Sequence, residues 1–249
     1  MKRAFFVVVK MPFWGVAVIC VVFAFAVLGL VYKQSSAFYP NVEAMAWPVV
    51  GKIIVVDAGH GGFDPGAVGS SGILEKDINL AVSIRLADVL RQAGAIVVET
   101  RTTDVALGDS KSEDMRNRVQ LAKNANSELF ITVQANSIPQ KQYRGAQIFY
   151  AKKSDSAKLL AENIQEELGG LLKNTTRKAL PINDIYIVKN LDVPVIVAEI
   201  GFLSNLEEEA LLKDKAYQNK IAWGIYMGII EYYSSIDDEE QKCEDPKAD

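Results

Sequence analysis

The amino-acid sequence predicts an α/β fold. It reads as one domain with a twisted, mostly parallel sheet flanked by helices, preceded by an N-terminal transmembrane helix. Three observations predict it. From residue 52 to 233, short β-branched runs alternate with longer segments of helical apolar spacing, the signature of strand–helix units that build parallel sheets. A chain of 249 residues has room for one globular domain and an accessory segment. Residues 11–32 carry no charge and are long enough to cross a bilayer core of roughly 30 Å at about 1.5 Å per residue.

The organisation follows in chain order. Residues 1–10 carry Lys2, Arg3 and Lys10, and positive charge before an apolar span keeps that end in the cytoplasm. Residues 11–32 then form the anchor, 33–50 a linker, 51–234 the folded domain and 235–249 an acidic tail, expected to be solvated and disordered. A cleaved signal peptide is the alternative for the apolar run. Such peptides have apolar cores of roughly 7–15 residues and a small-residue cleavage site; this run is longer, and QSSAFYP after it is a weak site. Either way the domain lies outside the cytoplasm, and with an anchor the protein is single-pass in the cell membrane. Cys20 falls in the anchor and Cys243 in the tail, so no intrachain disulfide is expected.

Within the domain, KIIVVD at 52–57 is a buried strand. Leu74, Ile78, Ala81, Val82, Leu86, Val89 and Leu90 recur at helical spacing, and Gly94 stops that helix. Residues 95–100 form a second strand, 112–124 a helix with Ser112 at its N-cap, and 129–133 a third strand. Further strands are expected at 145–150, 185–188 and 194–200, with helices at 154–172 and 214–233. Ligands of such sheets sit at the carboxyl ends of the strands. There the sequence places Asp57 and His60 after the first strand, Gln134, Asn136 and Ser137 after the third, and Glu199 on the late apolar strand.

Composition narrows the function. A formal net charge of −4 provides no basic field for nucleic acid. The loop GHGGFDPG lacks the Lys-Ser/Thr of a P-loop and the G-x-G-x-x-G of a dinucleotide fingerprint. No G-x-S-x-G nucleophile elbow is present; GFLSN does not match it. A metal site fits better. His60, the only histidine of the chain, lies in a flexible glycine loop, and imidazole is a frequent zinc donor. Glu75 opens the helix after that loop, where a carboxylate either ligates a metal or complements the helix dipole. Glu199 is a carboxylate among apolar residues, costly unless it is satisfied or used.

The segments DAGHGGFDPGAVG, LEKDINL, FITVQANS, RGAQIFY and AEIGFLSN occur in the order seen in zinc-dependent N-acetylmuramoyl-L-alanine amidases, which the domain resembles from about Lys52 to Tyr233. The anchor, the compact length and the detail of three of these segments are most similar to the sporulation- and germination-linked branch, which trims spore-cortex peptidoglycan. The resemblance implies hydrolysis of the amide between N-acetylmuramic acid and L-alanine in peptidoglycan muropeptides. It also leaves room for a lipoprotein partner. It implies a Zn2+ ion held by His60, Glu75 and a second histidine, with Glu199 as base toward water. That second histidine position falls on Gln134, a neutral donor. The resemblance therefore implies either an amidase with weakened or lost zinc, or a pseudoenzyme that binds peptidoglycan or a partner without turnover. Asp57, Asp64 and Asn136 are nearby oxygen donors, and Asn136 and Arg144 are candidates for substrate contacts.

Overall fold

The computed structural model describes Trp14 and residues 47–244, with side chains from 48 to 236. The expected anchor, apart from Trp14, lies outside the described residues, and among these no helix is long and apolar enough to cross a membrane. Cys20 and the side chain of Cys243 are outside them too.

In chain order the elements are β1 (Ile53–Ala58), α1 (Glu75–Gln92), β2 (Ile96–Glu99), α2 (Lys111–Asn124), β3 (Leu129–Asn136), β4 (Gln147–Ala151), α3 (Asp155–Leu172), β5 (Leu180–Ile182), α4 (Tyr186–Asn190), β6 (Val195–Phe202), α5 (Leu206–Lys213) and α6 (Lys215–Glu244). The six strands form one sheet in the order β2-β1-β3-β6-β4-β5. All neighbours are parallel except β4 and β6, which run antiparallel. The sheet is thus mixed, though mostly parallel as expected.

Alternation of side chains divides the apolar residues between two faces. Ile54, Val56, Ile131, Val133, Ile148, Ile196 and Ala198 face α1, α3 and α6 through Leu86, Ile164 and Ile225. Val55, Phe130 and Val195 face α2 and α4 through Val119 and Ile187. β1, β3 and β6 are buried on both sides, which explains why they read as continuous apolar runs rather than alternating ones.

Several elements differ from expectation, each for a local reason. The N-cap of α2 is Ser110, whose Oγ accepts from the Glu113 backbone N–H, rather than Ser112. Residues 186–190 form a helical turn instead of a strand, because Ile187 alone of the run is fully buried and it docks on the α2 face. β5 and α5 are additional; α5 is N-capped by Asn205, whose side chain accepts from the backbone N–H of Glu207 and Glu208. The closing helix runs on to Glu244, into the acidic segment expected to be disordered. After Gly228 no Gly or Pro interrupts it before Pro246, and Glu and Gln are good helix formers.

Candidate active site

Because β1, β3 and β6 are parallel, their carboxyl ends lie on one rim. β4 runs the other way and brings its first residue, Gln147, to the same rim. In register, Gln134 pairs with Glu199 and Glu199 pairs with Gln147. Cross-strand partners share a face of the sheet. The result is a polar row Gln134–Glu199–Gln147, on the α2 side of the sheet.

His60 stands at one end of that row with φ of 60°. This left-handed conformation is uncommon for a residue with a Cβ and persists only where surroundings impose it. Two buried arginines impose it. Arg101 donates to the carbonyls of Ala58, Gly59 and Lys76 at 2.8–2.9 Å. Arg118, fully buried, donates to the carbonyls of Ala58 and His60 at 2.8 Å and is itself held by Asp57 and Asp114. Replacing Arg118 by Met would leave two buried carboxylates unpaired. Denaturant unfolding should show a loss of about 3–5 kcal/mol; a loss below 1 kcal/mol would contradict this role.

The imidazole is oriented from both sides. Nδ1 lies 3.0 Å from Asp64 Oδ2, and Nε2 lies 3.3 Å from Glu75 Oε1. Burial works against its charged form, but Glu75 and Asp64 outweigh burial and raise its pKa above the usual value. Burial likewise opposes the charge on Glu75, yet His60 and the N–H groups of Ala67 and Ala135 hold its pKa below the ordinary range. The glycine loop makes this proximity feasible. A methyl at Gly66, where φ is 67°, would fall 2.6 Å from Glu75 Oε2 and 2.8 Å from the His60 ring.

Gln134 completes the cluster. Its side chain lies over Gly59, where a methyl would fall 2.0 Å from Nε2. Nε2 donates to Thr132 Oγ1 at 2.9 Å, and Oε1 accepts from Asn79 Nδ2 at 3.4 Å. Asn79 also reaches Glu75 Oε1 at 3.4 Å and the Gly59 carbonyl at 3.3 Å, so it ties the loop, Glu75 and Gln134 together. His60, Asp64, Lys111, Met115 and Gln134 border a cleft of about 230 Å3, with the half-exposed ring of Phe63 at its edge.

Glu199, the next residue along the row, has a different environment. Its Oε2 is buried and has no hydrogen-bond partner among the described residues. Burial first, and the charge of Glu75 second, push its pKa up to about 7, against the opposing effect of His60. A carboxyl that titrates near neutrality can take a proton and return it, the property a general acid–base needs.

The structure thus gathers His60, Glu75, Gln134 and Glu199 at one rim. Asn136 ends β3 beside them, opposite Phe202. Asp57 is fully buried; its Oδ1 accepts from Thr100 and Arg118, while its Oδ2 has no hydrogen-bond partner among the described residues. Asp64 is spent on His60 Nδ1 and on Lys111, 3.0 Å away. Arg144 is largely exposed, 3.6 Å from Glu207. Arg101, Arg118 and Asn79 were not legible as site residues; their roles depend on carbonyls and partners that are distant in sequence.

A catalytic zinc site typically takes three protein ligands drawn from His, Cys, Asp and Glu. Among the described residues no three such side chains group in that way. His60 and Glu75 are two donors facing each other, and the third place is held by an amide already engaged with Thr132 and Asn79. The donor set therefore does not fit a complete catalytic zinc centre.

Comparison with known proteins agrees with the geometry. Residues 54–231 match the Amidase_3 family, described as N-acetylmuramoyl-L-alanine amidase. The germination-specific N-acetylmuramoyl-L-alanine amidase of Bacillus subtilis is 40% identical over 222 residues, covering 86% of this chain and 93% of that protein. The CwlD amidase of Clostridioides difficile, solved in complex with the GerS lipoprotein, is 40% identical with a TM-score of 0.72, covering 74% of this chain and 99% of that one. The catalytic domain of CwlV from Bacillus (Paenibacillus) polymyxa var. colistinus is 32% identical with a TM-score of 0.66, covering 74% of this chain and 98% of that one.

Proposed function

The chain belongs to the N-acetylmuramoyl-L-alanine amidase family, and from that premise we propose that its rim cleaves the muramoyl–alanine amide of spore-cortex peptidoglycan with Glu199 as the proton carrier. The observation that carries this reading is the buried, unpartnered Glu199 carboxyl, poised near pH 7 beside the His60–Glu75 pair. As carboxylate it takes a proton from the attacking water while the water oxygen bonds to the amide carbon. As acid it passes that proton to the alanine nitrogen as the carbon–nitrogen bond breaks. The products are the free lactyl carboxylate of muramic acid and a peptide with a free amino terminus. Glu75 and Asp64 hold the imidazole ring by its two nitrogens, so His60 presents a fixed edge to the cleft.

Zinc is part of this proposal only in weakened form. His60 and Glu75 would hold it, and bound zinc would supply polarisation of the amide carbonyl. With Gln134 in the third place, affinity falls by several kcal/mol out of apparent totals of roughly 10–16 for structural sites. The engaged amide of Gln134 favours a second reading, a protein that binds muropeptides without cleaving them. The anchor at 11–32 would place the domain at the outer face of the cell membrane, and the GerS complex of its relative supports a lipoprotein partner.

Mass spectrometry of muropeptides incubated with the purified protein and added zinc separates the readings. Release of peptides with free L-alanine amino termini is expected. Intact muropeptides at saturating zinc, together with measurable muropeptide binding, would establish the second reading instead.

A further inference from the structure

The polar row does not stop at Gln147. Arg177, on the loop between α3 and β5, donates from Nη1 to Gln147 Oε1 at 2.9 Å and from Nε to the Arg144 carbonyl at 3.0 Å. Its guanidinium lies 4.9 Å from the centre of the Phe202 ring and 5.7 Å from that of Tyr143. Nη2 has no hydrogen-bond partner among the described residues. The fork is thus fixed in place, with one nitrogen left to donate. It opens on a cavity of about 430 Å3 that Lys173 and Arg144 also line and that no acidic residue lines. The buried Glu208 accepts from the backbone N–H groups of Gly145 and Phe202 and from Asn174, and its charge also faces Arg177 and Arg144. Arg144 is 3.6 Å from the exposed Glu207, a loose contact that a stronger anion can displace.

We propose that Arg177, supported by Lys173 and Arg144, is the subsite that receives a free carboxylate of the stem peptide. This rests on the amidase reading, because it assigns the peptide a direction along the row. Glu199 marks the scissile amide, and Gln147 and Arg177 lie one strand further on. Strands are about 4.8 Å apart, so the guanidinium is on the order of 10 Å from Glu199, about three residues of extended peptide. A planar fork already stacked and hydrogen-bonded loses little freedom on binding a carboxylate, and it recognises that group better than an ammonium can.

The test reads binding, so it does not depend on turnover. Muropeptides with free stem carboxylates and the same muropeptides with those carboxylates amidated are titrated calorimetrically into the Glu199→Gln protein. The same titrations are repeated with Arg177→Gln and Arg177→Lys added. Amidation should weaken binding by on the order of tenfold to a hundredfold. Arg177→Gln should erase that preference, and Arg177→Lys should keep part of it. Equal binding of the two muropeptides, a preference that survives in Arg177→Gln, or no binding of either would overturn the subsite. The amidase reading fails by a different sign, the absence of cleavage by the unsubstituted protein.

Discussion

Glu199→Gln is expected to lose turnover and gain stability, two changes of opposite sign from one atom. Activity on muropeptides should fall by about 10²–10⁴-fold, the usual contribution of a general acid–base. Stability should move the other way. The folded protein holds the Glu199 proton more tightly than the unfolded chain, with a pKa moved from 4.5 to about 7. Between those values the folded state binds more protons, so stability falls as pH rises through that window. The glutamine carries no such charge. With a chelator present, denaturant unfolding at pH 8 should find the variant more stable by up to about 3 kcal/mol, the equivalent of the shift. Below pH 4 the difference should vanish. A variant no more stable than the parent at pH 8 would mean that Oε2 has a partner, and that Glu199 is not a strained carboxyl.

Gln134→His is expected to raise zinc affinity by on the order of a hundredfold, about one strong ligand's share of a structural site. The change fits the local packing. The residue at 134 lies against Gly59, which offers no side chain to clash. Asn79 keeps its contacts with Gly59 and Glu75 when the amide goes. Thr132 loses its donor, at a cost of about 1 kcal/mol in the metal-free protein. With two imidazoles and Glu75 the site reaches the three protein ligands of a catalytic centre. Hydrolysis by the variant should exceed that of the parent at low zinc, and the two should converge as zinc is raised.

Much of this was legible in the sequence. β1, β3 and β6 announce themselves because both faces of a central parallel strand are buried, and α1 and α3 because helical spacing persists over several turns. His60, Glu75, Gln134 and Glu199 converge because each stands at or after a strand end of the same sheet. What failed was decided by tertiary contacts. The direction of β4 leaves no mark on its own side chains, so the placement of Gln147 beside Glu199 appears only in three dimensions. The run 185–188 is rich in β-branched residues, yet a single buried Ile187 made it a helical turn. Arg118 and Arg101 carry no signal in the sequence; they are the clamp that holds His60 in a left-handed conformation. Arg177 had no signal at all, since its meaning depends on Phe202 and Gln147.

On the proposed function, Gln134 is the one missing donor in an otherwise assembled zinc site. Calorimetric titration with zinc of the chelator-treated parent, of Gln134→His and of Gln134→His with His60→Ala tests it most directly. Weak binding by the parent, tight binding of close to one zinc per chain by Gln134→His, and loss of that gain in the double variant are predicted. Tight binding by the parent, or a gain in Gln134→His that survives His60→Ala, would contradict it.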